Sequence, residues 1–239
     1  MRKLFILTFL SLFFILSVSV FAQTTSPTPS RTAIRQVIRD IKNEMKDIRK
    51  DAISERKSMR DEFNAKIKEE RDAARAKIDA KREELRQQLN KIKDERKKQI
   101  VERINDSLVH LNDKMVKHFG EVLDQIDKVL DNISTRADKV ASEKGVDVSS
   151  VKTAIATAYA AIDAARSSVQ IQAGKTYTIT ISTEDKLRVD VKKARQALHN
   201  DLKSAEELVK AAREAARKAA VALAQLKKTP SPSPTPSPN

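Results

Sequence analysis

The sequence of 239 residues contains almost none of the residues that interrupt helices. Proline is absent between Pro29 and Pro230, and the glycines of the chain are Gly120, Gly145 and Gly174. Proline removes a backbone donor and clashes inside a helix, and glycine costs conformational entropy there. About two hundred residues with so few interruptions, rich in Ala, Lys, Arg, Glu and Leu, predict an all-α protein.

Cysteine is absent as well. This absence excludes disulfides, thiolate metal sites, a cysteine nucleophile and lipidation at a mature N-terminal cysteine. Aromatic residues make up only 4% of the chain, and those after residue 22 are Phe63, Phe119, Tyr159 and Tyr177. So few large side chains favour thin seams of Leu, Ile, Val and Ala between helices over one large compact core.

No motif in the sequence carries catalytic chemistry. The three histidines, His110, His118 and His199, lack the carboxylates that would complete a metal site. No two glycines are close enough for a phosphate-binding loop, and no strand-turn-helix elbow presents a serine. We therefore expect a non-enzymatic protein with no catalytic residue, no metal, no cofactor and no small-molecule substrate.

Positive charge is in excess. The formal net charge is +14, and by segment it is +8 over residues 31–103, −3 over 104–147 and +7 over 148–239. Such an excess favours anionic partners, including nucleic acid and acidic polymers, although a solvated basic surface explains it equally well. We expect the acidic segment to pack against the basic third helix of a bundle.

The densest run of basic residues is a candidate anion-binding patch. It consists of Lys91, Lys93, Arg96, Lys97 and Lys98. The alternative is an ordinary solvated helix face, since short basic runs often bind nothing.

The amino end has the pattern of a secretory signal peptide over residues 1–22. Arg2 and Lys3 precede an apolar run over residues 4–20, and Val20 and Ala22 stand at the −3 and −1 positions before Gln23. The chain is therefore expected to be secreted, periplasmic or on the cell surface. If the leader is not cleaved, its apolar length is sufficient for an N-terminal membrane anchor.

Proline-containing segments flank the helical part. Residues 23–30 and the Pro/Ser/Thr-rich residues 229–239 offer nothing apolar to bury. Both are expected to be disordered, with a polyproline-like tail that can act as a stalk or spacer.

Residues 31–98 are predicted to form a charged helical arm within a very long N-terminal helix. At its start, apolar residues recur with heptad-like steps of three and four. We call this set the 34–52 seam: Ile34, Ile38, Ile41, Met45, Ile48 and Ala52. The rest of the arm has a sparser stripe among charges, which fits either a solvated single helix or a weak coiled coil. Self-association through the seam follows as a prediction.

Residues 99–228 are predicted to form an antiparallel three-helix bundle. Gly145 can adopt the left-handed conformation that ends a helix, and Asp147 or Ser149 can cap the next one. Gly174 ends the second helix. In the first helix of the bundle, the apolar steps of four, four and three predict a nearly straight seam. That seam consists of Ile100, Ile104, Leu108, Leu111, Met115, Phe119, Val122, Ile126, Leu130, Ile133 and Ala137.

The segment between the second and third bundle helices alternates apolar and polar residues over 177–181, which is typical of a strand. A hairpin with residues 169–171 would be marginal in water. The favoured interpretation is therefore a helix to about Gln172 followed by an extended connection. A functional variant is strand pairing between two copies through residues 176–181. A sequence resembling a capping box, from Ser182 to Asp185, then opens the third helix.

Three stretches carry a resemblance to known sequences. They are KDERKKQIVERIND beginning at Lys93, QAGKTYTITI beginning at Gln172 and ARQALHNDL beginning at Ala194. Over residues 90–226 the chain resembles a group of uncharacterised exported helical, coiled-coil-like proteins of candidate-phylum, reduced-genome bacteria. The resemblance implies a helical fold and export but no activity. In its basic, helical and exported character the chain is also loosely similar to periplasmic holdase chaperones of the Skp type.

Three functions fit these features. The first is a non-enzymatic secreted or envelope-associated scaffold, spacer or adhesion protein. The second is a basic helical binder of extracellular nucleic acid or anionic cell-wall polymer. The third is a periplasmic holdase that clamps unfolded envelope proteins. The predicted partners are accordingly a second copy, an anionic polymer or another envelope protein.

Overall fold

A computed structural model describes residues 30–226. Its helices are α1, Arg31–Leu89; α2, Glu95–Lys144; α3, Ser149–Ala173; and α4, Leu187–Leu226, with a single 3₁₀ turn at Glu184–Lys186. The described residues contain no strand, which confirms the all-α prediction. None of the helices within residues 30–226 is long and apolar enough to cross a membrane. The predictions for residues 1–22, 23–29 and 229–239 fall outside the described residues.

The chain divides into two compact units, of which the described parts are residues 30–41 and 42–226. In the first part, Ser30 Oγ accepts a hydrogen bond from the backbone N–H of Thr32 at 3.2 Å and so supports the start of α1. The apolar side chains of this part, Ile34, Val37, Ile38 and Ile41, are exposed. All contacts described below belong to residues 42–226.

Helix α1 ends at Leu89, and a short turn separates it from α2. Asp94 opens α2: its side chain accepts hydrogen bonds from the backbone N–H groups of Arg96 and Lys97. Ile92, between the helices, is buried and anchors the turn in the core. The sequence analysis treated residues 31–98 as one helical arm, and this break was not anticipated because the turn contains neither proline nor glycine.

Helix α1 lies alongside α2 in the opposite direction. As the residue number rises on α1, that of its partner on α2 falls. The side-chain contacts are Arg49–Asp138 at 2.9 Å, Arg60–Asp131 at 3.0 Å, Asn64–Asp124 at 3.2 Å and Arg82–Asp106 at 2.8 Å. The predicted free arm is therefore not confirmed. The acidic segment does contact the third bundle helix, α4, as expected, but its carboxylates pair mainly with arginines of α1 rather than with cations of α4.

Helices α2, α3 and α4 each contact the other two, which supports a helical bundle. Gly145 ends α2 in the left-handed conformation (φ 62°), as predicted, and its N–H donates to the carbonyl of Ala141. Contact is most extensive between α3 and α4. Alanines make this close approach feasible, because Ala158, Ala165 and Ala212 are fully buried.

An extended connection follows α3, which ends at Ala173, one residue beyond the predicted position. It forms no hairpin within the described residues. Side chains of other elements hold it instead: the N–H of Ile179 donates to Asn105 at 3.1 Å, and the N–H of Ile181 donates to Gln88 at 2.8 Å. The predicted capping box is wrong. Ser182 donates to Asp190, in the first turn of α4, through both its N–H and its hydroxyl, whereas Asp185 lies in the 3₁₀ turn before α4.

Candidate functional site

The predicted anion-binding patch lies on the turn between α1 and α2 and on the first turn of α2. Lys91, Lys93 and Arg96 are exposed, and their side chains form no ion pair within residues 30–226. The other two members are neutralised. Lys97 Nζ lies 3.3 Å from Glu184, and Lys98 Nζ lies 2.6 Å from Glu95. The structure therefore reduces the patch to three free cations.

The most buried charges of the described residues lie where α1, α2 and α3 meet. Asp127 has no exposed surface, and Arg166 is 5% exposed. Arg166 Nη2 donates to Asp127 Oδ2 at 2.7 Å and to Asp124 Oδ1 at 3.1 Å. From α1, Arg60 Nη1 lies 3.6 Å from the same Asp127 oxygen. We call Arg60, Asp124, Asp127, Asp131 and Arg166 the buried charge network.

Two effects act on the pKa of Asp127. Burial is the larger and raises the pKa above its ordinary value, whereas Arg166 and Arg60 lower it. The network is also incompletely hydrogen-bonded: Asp127 Oδ1 and the Nε and Nη1 atoms of Arg166 lack a partner among the described atoms. A substrate has no access to Asp127, so the arrangement functions as a clamp between helices rather than as an acid–base site.

Aromatic side chains complete this clamp. The Tyr159 hydroxyl donates to Asp131 at 2.8 Å, and the Arg56 guanidinium stacks 3.8 Å from the centre of the Tyr159 ring. Burial, followed by the hydrogen bond to Asp131, raises the pKa of Tyr159. Arg166 lies 5.2 Å from the ring centre of Phe63 on α1. Cation–π contacts of this kind strengthen as they are desolvated.

A second polar network joins the end of α3 to α2 and α4. Gln172 Nε2 donates to Asn112 at 2.7 Å and to the Tyr177 hydroxyl at 2.8 Å, and that hydroxyl donates to Asp201 at 2.7 Å. Burial and the bond to Asp201 raise the pKa of Tyr177. Burial opposes ionisation of Asp201, but hydrogen bonds from Tyr177 and Lys175 outweigh it and lower the pKa of Asp201.

This second network explains an error in the predicted seam of α2. Ile100 and Leu111 were expected in the core, yet they are 54% and 44% exposed. In the amino-terminal half of α2 the buried face is shifted by one position, to Val101, Asn105 and Asn112. The two asparagines are buried because Asn105 accepts from the N–H of Ile179 in the extended connection, and Asn112 accepts from Gln172 in the last turn of α3 and donates to the carbonyl of Lys175 in the connection.

The displaced apolar residues line an open groove between α2 and α4, with a volume of about 830 Å³. On the α2 side the lining includes Ile100 and Ile104, and on the α4 side Val191. A smaller depression of about 270 Å³ shares Ile104 with it and extends past Leu111. We call the two together the α2–α4 groove.

Cations line the α4 side of this groove at helical spacing. They are Arg188, Lys192 and Arg195, followed at the same spacing by His199. We call Arg188, Lys192 and Arg195 the cationic row. All are exposed, and within residues 30–226 none of them forms an ion pair. The groove thus has an apolar wall and a cationic row, with Glu184 and Asp185 lining it ahead of α4. The apolar wall and the cationic row suit an amphipathic, acidic partner.

Part of the 34–52 seam borders a separate cleft. Met45 and Ile48 line it together with Asp138 of α2 and Lys152 of α3, and its volume is about 670 Å³. Both side chains remain largely exposed, Ile48 by 62%. Within the described part of the chain, no three His, Cys, Asp or Glu residues are grouped as a metal site would require.

The buried charge network, the cationic row and the groove were not predicted from the sequence. The sequence did contain a signal for Asp127: it is a charged residue that stands between the apolar residues Ile126 and Leu130. The cationic row also has helical spacing in the sequence, but exposed rows of this kind are common, and only the fold shows that an apolar wall faces it.

Comparisons with other proteins add no assignment. The chain matches no protein-family model, and no curated protein or solved structure is significantly similar to it. The resemblance to exported helical proteins of candidate-phylum bacteria accordingly stays a prediction.

Proposed function

We propose that this chain is a non-enzymatic, exported helical scaffold or spacer whose copies associate through the 34–52 seam of α1. The observation that carries the proposal is the seam itself. Its five large apolar side chains recur at heptad-like spacing, and each is more than 40% exposed in the single chain. Burying one such side chain stabilises a contact by about 1.5–3 kcal/mol, so the seam favours a partner.

The contacts of α1 support a mechanical role as a scaffold. The buried charge network fixes α1 to α2 and α3, and further pairs such as Arg49–Asp138 and Arg82–Asp106 extend this attachment along α2. Helix α2 has 50 residues, which correspond to about 75 Å at the usual rise per residue. An antiparallel bundle of α2, α3 and α4 reinforced by α1 would hold attachment points far apart. The leader pattern of residues 1–22 supports export.

Charged substitutions in the seam test this function. Replacing both Ile38 and Ile48 by Asp is expected to abolish self-association, because each carboxylate would have to be desolvated at the contact. Light scattering over a range of concentrations measures the mass of the full chain and of the variant. Ile171→Asp is the matched control, since Ile171 is 65% exposed on α3 outside the seam. A wild-type protein that stays monomeric would refute the proposal.

A second candidate function, binding of an anionic polymer, is favoured by the three free cations of the α1–α2 turn. Polyphosphate or duplex DNA should bind with an affinity that falls steeply as salt rises, because phosphate contacts release counterions. Replacing Lys91, Lys93 and Arg96 by Glu should abolish binding and leave self-association unchanged. Binding that is absent near physiological salt, or unaffected by these changes, would eliminate this function.

A further inference from the structure

The 34–52 seam has an acidic border. Asp40, Glu44, Asp47 and Asp51 each precede one of the last four seam residues, at steps of four, three and four. We call these four the acidic flank. All are exposed, and within residues 30–226 none of them forms an ion pair. Helix α1 therefore presents an apolar stripe beside an acidic row, in which Gln36 Nε2 donates to Asp40 at 3.0 Å and no cation of residues 30–226 pairs with the carboxylates.

The α2–α4 groove has the complementary arrangement. Its cationic row, Arg188, Lys192 and Arg195, has steps of four and three and extends over about 10 Å at the usual rise per residue. The acidic flank, with steps of four, three and four, contains this pattern in both directions, so the charges match for either direction of the docked helix. Beside the cationic row, Ile100, Ile104 and Leu111 offer an apolar wall to the seam.

The seam residues that occupy the α2–α4 groove cannot be Met45 and Ile48 of the same chain. Met45 and Ile48 lie beside Asp138 near the end of α2, whereas the groove begins at Ile100. These two places are separated by 38 positions of one helix, or roughly 55 Å. Only a second copy can bring Met45 and Ile48 to the groove.

Pairing of one seam with another seam is the weaker alternative. The seam covers fewer than the three to four heptads that are typical of a coiled coil. Seam-to-seam pairing would also leave the cationic row and the apolar wall of the groove exposed. A helix lying in a groove between two helices contacts both walls and buries more apolar surface per turn.

We propose that the 34–52 seam and acidic flank of one copy dock in the α2–α4 groove of a second copy. The inference rests on the proposed function, since it names the surface to which the self-associating seam binds. Two copies can exchange seams reciprocally and close a symmetric dimer, or associate in one direction and form longer chains.

Charge reversal on both sides tests this contact in the full chain. The flank variant carries Glu44→Lys and Asp47→Lys, and the groove variant carries Lys192→Glu and Arg195→Glu. Each variant alone is expected to self-associate at least about tenfold more weakly than the wild type, because attractive pairs at the border become repulsive. The changed residues are all exposed, so the helical content measured by circular dichroism should stay the same.

Recovery of self-association distinguishes a specific contact between flank and groove from a general effect of charge. The chain that carries all four changes should regain self-association. An equal mixture of flank and groove variants should associate as well, since a flank and a groove of opposite charge meet in every contact between the two variants. Sedimentation velocity measures both. The control, Lys193→Glu with Lys203→Glu, makes the same charge change on exposed positions of α4 outside the groove lining and should associate like the wild type.

Each remaining outcome overturns a definite statement. If the groove variant associates normally while the seam substitutions abolish association, the seam pairs with another seam; the docking inference is then wrong and the proposed function stands. The same conclusion follows if the fourfold variant fails to recover. If the wild type never associates, the inference and the proposed function fail together.

Discussion

Asp127→Ala is expected to lower the free energy of unfolding by about 3 kcal/mol or more, because it leaves buried arginine charge without its main partner. Arg166 is 5% exposed and lies 2.7 Å from Asp127; it would retain only Asp124, at 3.1 Å. Arg60 would lose a partner at 3.6 Å but keep Asp131. Urea unfolding followed by helical circular dichroism gives the free energy of unfolding.

Two further variants distinguish a buried-charge effect from the loss of any carboxylate. Asp72→Ala removes an exposed carboxylate that pairs with Arg75 at 3.6 Å on α1, and it should leave the free energy of unfolding almost unchanged. Asp127→Leu combined with Arg166→Met removes both buried charges. Because several polar atoms of the network lack partners, this double variant should recover most of the stability lost in Asp127→Ala. A double variant that is less stable than Asp127→Ala would show that the network itself contributes net stability.

Tyr177→Ala is expected to lower the free energy of unfolding by about 3 kcal/mol, since a buried aromatic ring in the extended connection would be replaced by a cavity. The ring is 7% exposed, and its hydroxyl links Gln172 at the end of α3 to Asp201 on α4. Loss of the ring therefore removes both packing and the polar link between these two helices. The same urea experiment measures the effect.

Tyr177→Phe separates these two contributions. It keeps the ring and removes the hydroxyl, while Gln172 retains Asn112 and Asp201 retains Lys175. The free energy of unfolding is expected to fall by about 1 kcal/mol, the usual contribution of one hydrogen bond. If Tyr177→Phe costs as much as Tyr177→Ala, the polar link dominates and the packing argument for this residue is wrong.

The parts of the fold that depend on backbone chemistry were predictable from the sequence. Gly145 provides the left-handed residue that ends α2, and the end of α3 lies beside Gly174. The break between α1 and α2 was missed because its sequence signal is a single aspartate, Asp94, which caps the start of α2 within a run of charges. A cap of this kind is a weak signal where nearly every neighbour is charged.

The candidate surfaces were less predictable, because they arise from a one-position shift of a buried face. Apolar periodicity placed Ile100 and Leu111 in the core, but Asn105 and Asn112 are buried there instead. The reason is distant in sequence: the backbone groups of Ile179 and Lys175 in the extended connection, and Gln172 at the end of α3, need the hydrogen-bond partners that Asn105 and Asn112 provide. Periodicity along one helix contains no information about such a requirement.

The most direct test of the account is whether the seam becomes covered when copies meet. Because the chain has no cysteine, a spin label can be placed at Ile48→Cys and, separately, at Ile171→Cys. In a single chain these two positions are almost equally exposed, at 62% and 65%. As the protein concentration rises, the label at position 48 should become immobile and protected from a water-soluble relaxation agent, while the label at position 171 stays mobile and accessible. Equal mobility and equal accessibility of the two labels at every concentration would contradict association through the seam.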